Sequence, residues 1–217
     1  MLRSQFDEEL AKLHNQFYAM GTEVLTQINK TVRAFVSHDR VLAKEVIEQD
    51  EVVNNFETKL EKKSLEIIAL QQPVSHDLRT VITVLKASSD VERMGDHASA
   101  IAKATIRMKG EERIPEVEAA IKKMGKAVKY MVEDALEVYM TGDEEKAYEI
   151  AARDEEIDLM FKDIQNLAVE RIREQPETVF SGKEYFQVLI YLERIGDYAK
   201  NVCEWVVYLK TGKIIEL

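Results

Sequence analysis

The chain reads as an all-α protein built as two tandem three-helix bundles, six long helices in all. Three observations predict this. Apolar residues recur at steps of three and four along most of the 217 residues, the period of a helix with one buried face. Only three prolines and eight glycines punctuate the pattern, while the good helix formers Glu, Lys, Ala, Leu and Met are abundant. The third observation is a repeat. Glu92-Arg93-Met94-Gly95-Asp96-His97-Ala98 returns as Glu193-Arg194-Ile195-Gly196-Asp197-Tyr198-Ala199, a shift of 101 residues.

The first helix is predicted from about Phe6 to Ser37, with Leu10, Leu13, Phe17, Met20, Val24, Ile28, Val32 and Phe35 as its core stripe. Ser37-His38-Asp39 is a cap-like break. A second helix follows from Arg40 to Gln71, burying Leu42, Val46, Val53, Phe56, Leu60 and Ile67. Pro73 stops it, because a proline disfavours helix at the residue before it. Ser75 is expected to cap a third helix that reaches about Lys109.

Gly110 to Arg113 marks the boundary between repeats, so residues 1–110 and 111–217 are the expected units. Pro115 suits the first turn of the fourth helix, and Glu116 and Glu118 lie near its positive end. Ile121, Met124, Val128, Met131, Ala135 and Val138 give that helix its buried face. Gly142 closes it and Asp143 opens a fifth, read as continuous to Pro176 with Ile150, Ile157, Phe161, Ile164 and Ala168 inward. Ser181-Gly182-Lys183-Glu184 has the form of a capping box for a sixth helix running to about Lys210. The repeat extends along these elements. Phe35 to Asp39 matches Tyr139 to Asp143, Asp50-Glu51-Val52-Val53-Asn54 matches Asp154-Glu155-Glu156-Ile157-Asp158, and Gln72-Pro73 matches Gln175-Pro176. Three long helices per repeat are enough for each half to have a core of its own.

Composition narrows the function. A formal charge of −10 argues against nucleic acid, which requires a basic footprint. The single Cys203 excludes an internal disulfide and fits a reducing cytoplasm. Acids at Asp7, Glu8 and Glu9 stand where a signal peptide needs apolar residues. No apolar run approaches the ~20 residues of a membrane span. The expected setting is cytoplasmic, with any contact to a membrane made through partners.

On the third helix, Val84, Ala87, Val91, Met94, Ala98 and Ile101 face the core, whereas Leu85, Ser89, Glu92, Asp96 and Ser99 form a second stripe. The sixth helix repeats this division, with Glu193, Asp197 and Asn201 on the second stripe. A Glu and an Asp four apart stand one turn, ~5.4 Å, above each other. The preceding helix of each half offers Asp50 with Asn54, or Asp154 with Asp158, at the same spacing. Converging carboxylates would repel without a cation, and all-oxygen donors suit Mg²⁺, Mn²⁺, Ca²⁺ or Fe³⁺, with zinc also open. The competing reading is a plain helical scaffold whose acids form a solvated face neutralised by Arg93, Lys103, Arg194 or Lys200. A third is a metal-dependent hydrolase or oxidase using the same acids. Against an enzyme stand the absence of Glu-x-x-His, His-Glu-x-x-His and P-loop patterns and of any nucleophile-plus-base arrangement. Gly95 and Gly196 suggest close helix approach. His97, whose counterpart is Tyr198, and His14, His38 and His76 read as surface or cap residues, Cys203 as packed, and Trp205 as core or dimer contact.

These phrases resemble those of the PhoU family, and the resemblance covers nearly the whole chain. It rests on the Glu-Arg-x-Gly-Asp-x-Ala phrase of each third helix and the Asp-containing motif of each second helix. The resemblance implies multinuclear iron or zinc clusters on the bundle surface, with Asp50, Glu92 and Asp96 as ligands in the first half and Asp154, Asp158, Glu193, Asp197 and Asn201 in the second. Ala100 and Asn54 depart from the pattern and weaken the first site relative to the second. The resemblance further implies a dimeric, cytoplasmic negative regulator of phosphate uptake and of the starvation response. Its partners would be the ATPase of the phosphate ABC transporter and the phosphate-sensing histidine kinase.

Overall fold

Helical periodicity is met throughout by helix. The computed structural model describes the backbone of residues 2–217 and the side chains of residues 6–217; Met1, which opens the acidic N-terminal stretch, lies outside the described residues. The elements are α1 (Leu2–Ser37), α2 (Arg40–Gln71), α3 (Ser75–Arg107), α4 (Pro115–Thr141), α5 (Glu144–Ala151), α6 (Asp154–Glu174) and α7 (Val179–Thr211), with a single 3-10 turn at Pro176–Thr178 before α7. Among the described residues there is no strand, and no helix is long and apolar enough to cross a membrane.

Several ends form as their residues dictate. Asp39 accepts hydrogen bonds from the Val41 and Leu42 amides and so satisfies two of the free N–H groups that open α2. Gly142 takes a left-handed φ of 64° at the end of α4, a conformation that suits a residue without Cβ. Asp143 then caps α5 through the Lys146 amide.

Three local expectations are corrected. The fifth helix is not continuous: it breaks at Ala152-Arg153 into α5 and α6. Asp154, Glu155 and Glu156 occupy the first turn of α6, where the helix dipole favours negative charge, and Arg153 pairs with Asp134 of α4. Those three consecutive acids were the sequence signal for a helix start. Ser75 does not cap α3 with its side chain; Val74 is the N-cap, and Ser75 is the first helical residue at φ 53°. The capping box at Ser181 to Glu184 does not form, because α7 already starts at Val179. Both residues are buried and serve tertiary contacts instead: Ser181 donates to the Glu112 carbonyl, and Glu184 accepts from Arg107 Nη2 at 2.6 Å.

The helices do not form two separate cores. α1, α3, α7 and α4 make a ring in which each packs on the next and α4 closes on α1. α2 lies over α1 and α3, while α5 and α6 lie over α4 and α7. One buried cluster runs through both halves, from Leu13 and Phe17 through Val91 and Met94 to Ile195 and Val206. A small satellite of Ala34, Leu42, Ala43, Val46 and Ala102 fills the space beside the α1–α2 turn. Cys203 is fully buried, as its place on the apolar stripe requires.

Two histidines expected at the surface are instead packed. His14 Nδ1 lies 2.8 Å from the Tyr139 hydroxyl, and burial lowers the His14 pKa. His97 stacks between Tyr191 and Tyr198, its ring 5.5 Å and 5.8 Å from theirs, so it fills the α3–α7 seam.

Candidate metal centres

Each acid phrase lies on a helix with two neighbours, and glycine sets the closeness of one of them. A Cβ at Gly196 of α7 would sit 3.2 Å from Ile157 Cδ1 and 3.4 Å from Asp154 Oδ1 of α6. At the matching Gly95 of α3, it would sit 3.3 Å from Val53 Cγ1 of α2 and 3.3 Å from Gln27 Oε1 of α1. Val53 and Ile157 are repeat equivalents. The missing side chains therefore let the second helix of each repeat approach the acid-bearing one, which explains glycines that cost a mid-helix position ~1 kcal/mol against Ala.

That approach brings the carboxylates of neighbouring helices into each other's field. In the first half, burial raises the pKa of Asp50, with Asp96 adding to the effect and Lys103 opposing it. Burial raises Glu92 to about 7, reinforced by Asp96, Glu57 and Asp50 against Arg93. In the second half, burial raises Asp154, with Asp197 adding and Lys200 opposing. Glu193 is raised by burial and then by Asp197, and Asp197 by burial against the pull of Arg194. Desolvation is the first cause for each of these five carboxyls, while Asp96 itself is exposed.

The feature that separates the seams from a solvated face is a pair of unsatisfied oxygens. Asp50 Oδ1 and Asp154 Oδ1, equivalent atoms of the two repeats, are both shielded from solvent and have no hydrogen-bond partner. Asp154 as a whole is only 8% exposed. A shielded carboxylate oxygen without a donor is expensive unless a cation or water meets it. Ser99 Oγ, beside the first seam, is unsatisfied in the same way.

The two halves differ in their counter-charges. Arg194 lies 3.5 Å from Asp197 Oδ2 and 3.8 Å from Glu193 Oε2, and Lys200 lies 3.6 Å from Asp154 Oδ2. These are long contacts to solvent-exposed or half-exposed cations, worth at most about 1 kcal/mol each. Among the described residues, Asp50, Glu57, Glu92 and Asp96 have no ion pair at all. Glu57 was not foreseen. It lies seven residues beyond Asp50, two turns along the same face of α2, and that spacing was the available signal. Its pKa is raised by burial, against a hydrogen bond from Ser89, and the charges of Glu61 and Asp96 add to the rise. Glu57 thus supplies the acid that Asn54 lacks, and each half holds four carboxylates.

Asn201 lines one pocket with Asp197 and also reaches across to the other half. Its Nδ2 donates to Asp90 Oδ1 at 3.3 Å across the α3–α7 contact, where Trp205 Nε1 donates to Asp90 Oδ2 at 2.8 Å. Asp90, missed from sequence, is the residue around which these two side chains are organised.

Among the described residues, no three His, Cys, Asp or Glu side chains are drawn together as a preformed metal cage. Drawing the carboxylates around an ion would take side-chain rotation on the fixed helices. The donor chemistry fits a hard cation: oxygen ligands and an orphaned, shielded aspartate oxygen in each seam.

One consequence is a pH dependence. Folded Glu92 keeps its proton up to about pH 7, whereas the unfolded chain releases it above pH 4.5. The folded state binds more protons across that window, so stability of the metal-free protein falls as pH rises through it. The expected loss is on the order of 1 kcal/mol, since solvent screens this half-exposed group. Urea midpoints in chelator across the window check it, and Glu92→Gln should flatten the slope.

Comparison with known proteins agrees with this architecture. The family model of the PhoU domain matches residues 17–105 and again 121–206. The phosphate-specific transport system accessory protein PhoU homolog of Clostridium acetobutylicum is 37% identical, covering 100% of this chain and 99% of its own. The homolog of the same description from Streptococcus pneumoniae serotype 4 is 35% identical over 100% of both chains. Among solved structures, the phosphate transport system regulatory protein PhoU from Streptococcus pneumoniae superposes with a TM-score of 0.91 at 34% identity, covering 98% of this chain and 100% of that one. PhoU from Pseudomonas aeruginosa gives 0.91 at 33%, covering 96% and 100%. With a twice-repeated domain match, full-length relatives and a shared bundle, the chain belongs to the PhoU family.

Proposed function

We propose that this protein is a regulator of phosphate uptake that works by protein contact and carries metal ions on its α2–α3 and α6–α7 seams. The names of its relatives, an accessory protein of phosphate-specific transport and a regulatory protein of phosphate transport, support the first part. In this reading it restrains uptake and starvation signalling from the cytoplasm, meeting the transporter's ATPase and a phosphate-sensing histidine kinase. It has no catalytic step of its own.

The single observation carrying the metal reading is the matched pair of shielded, unpartnered oxygens on Asp50 and Asp154. Asp50, Glu57, Glu92 and Asp96 would hold the ion of the first seam, and Asp154, Asp158, Glu193 and Asp197 that of the second. Iron and zinc are the proposed ions, with Mg²⁺, Mn²⁺ and Ca²⁺ as hard alternatives. A bound cation would add positive charge to four carboxylates in each seam, while the chain's part is to fix those carboxylates on rigid helices.

Two measurements test the reading. Elemental analysis of protein purified without chelator should find metal, with loss of roughly half of it in Glu193→Ala/Asp197→Ala. Metal-free protein and an unaffected variant would return the seams to a solvated face. Deleting the protein should raise phosphate uptake and starvation-gene expression at high phosphate. Unchanged uptake and expression would refute the regulatory assignment.

A further inference from the structure

The side of the ring away from α3 and α7 is formed by α1 and α4. A groove of about 550 Å³ runs between them, lined by Ile28 to Ser37 of α1 and Lys122 to Tyr130 of α4. Its apolar floor includes Ile28, Val32 and Val36. Gly125 shapes that floor: a Cβ there would lie 2.7 Å from Val32 Cγ2, so the two helices nearly touch and leave a furrow over the valine.

The rim is basic. Arg33, Lys122, Lys123, Lys126 and Lys129 line the groove; Lys129 is paired with Glu133 at 3.2 Å, and the other four have no ion pair among the described residues, in a chain of net charge −10. Tyr130, 47% exposed, gathers two of these cations, with Lys126 Nζ 5.5 Å and Lys129 Nζ 5.0 Å from its ring centroid. A half-exposed tyrosine beside clustered cations over an apolar floor is a surface composed for contact.

We infer that this groove docks an amphipathic helix of a partner protein, with an apolar stripe for the valine floor and acidic residues flanking it for the lysine rim. Charge complementarity selects the occupant. The lined stretch of α1 is ~14 Å long, enough for about two and a half turns of a second helix. A small anion is poorly served there. Anion sites use free backbone N–H groups at helix starts or in nests, whereas this groove is lined from the middles of two helices. It would also leave the apolar floor uncovered. The mode is helix-in-groove recognition, read through anchors one turn apart.

The groove contains none of the seam carboxylates, so its test is independent of the metal reading. Asn29, exposed on the groove wall, is replaced by a photo-crosslinking phenylalanine analogue in the full chain. After irradiation of cells, the attached segment is identified by mass spectrometry. The expected adduct is a segment of a different protein with an i, i+3, i+4, i+7 apolar stripe and flanking Asp or Glu. Its yield should fall about tenfold or more in the Lys122→Glu/Lys126→Glu background, whose substitutions lie on the exposed rim. No adduct, an adduct with a second copy of this chain, with nucleic acid or with lipid, or a yield indifferent to charge reversal would each overturn the inference.

Discussion

Glu118→Ala is expected to lower the stability of the protein by about 3–5 kcal/mol, the cost of breaking a buried ion pair from one side. Glu118 is 5% exposed in the first turn of α4. Its carboxylate accepts from Arg113 Nη1 at 2.6 Å and from the Tyr185 hydroxyl at 3.1 Å, and lies 2.8 Å from His38 Nε2. Tyr185, fully buried, also accepts the Ile114 amide at 2.9 Å and packs edge-on against Phe35. One acid thus fastens the α1–α2 turn, the α3–α4 connection and α7. Alanine there strands Arg113, which is only 12% exposed, and leaves the tyrosine hydroxyl without its acceptor. Urea unfolding measures the loss. Glu118→Gln should lose less, and a double cycle with Arg113→Met should show coupling above about 1 kcal/mol. A loss below that figure for the alanine variant would mean that water replaces the network.

Asp50→Asn/Asp96→Asn should change stability in opposite directions with and without metal. In chelator, removing two of four mutually repelling charges raises the unfolding free energy, by about 1–2 kcal/mol after solvent screening. With iron or zinc present at about a hundred times the dissociation constant, the parent protein should gain about 2.7 kcal/mol from each occupied site. The variant should lose the contribution of the first seam. Scanning calorimetry of both proteins in both conditions gives the four values needed. If the variant is destabilised in chelator, the carboxylates are held by structural contacts rather than poised for a cation. A simple surface pair would give no change in either condition.

Periodicity made most of the fold legible. All six apolar residues assigned to the core face of α3 are buried. Asp39, Gly142 and Asp143 ended or began helices because their chemistry is local. What escaped was long-range. Ser181 and Glu184 match a capping pattern, but partners on other elements, Glu112 and Arg107, claim them. His97 reads as a surface residue until the neighbouring helix provides two tyrosine rings. The shared core depends on which helices meet, and a single helix's stripe does not say which face it will find.

The acids that the helices bring together were legible by the same rule. The repeated phrase and the spacing of Asp50, Asp154 and Asp158 named most of the acids, since helix geometry fixes who shares a face. Glu57 was missed because its counterpart is Phe161, so the repeat itself concealed it. The contact of Asn201 Nδ2 with Asp90 was not legible because Asp90 belongs to the other half.

The contact that joins Asp90 to Asn201 and Trp205 has a mechanical consequence. α3 and α7 are each at once a wall of their own acidic seam and half of the joint between repeats. A shift or roll of either rod at its own site is thereby transmitted to the other. If the seams take metal as proposed, their binding curves should depart from those of two independent sites, and Asp90→Ala should restore independence.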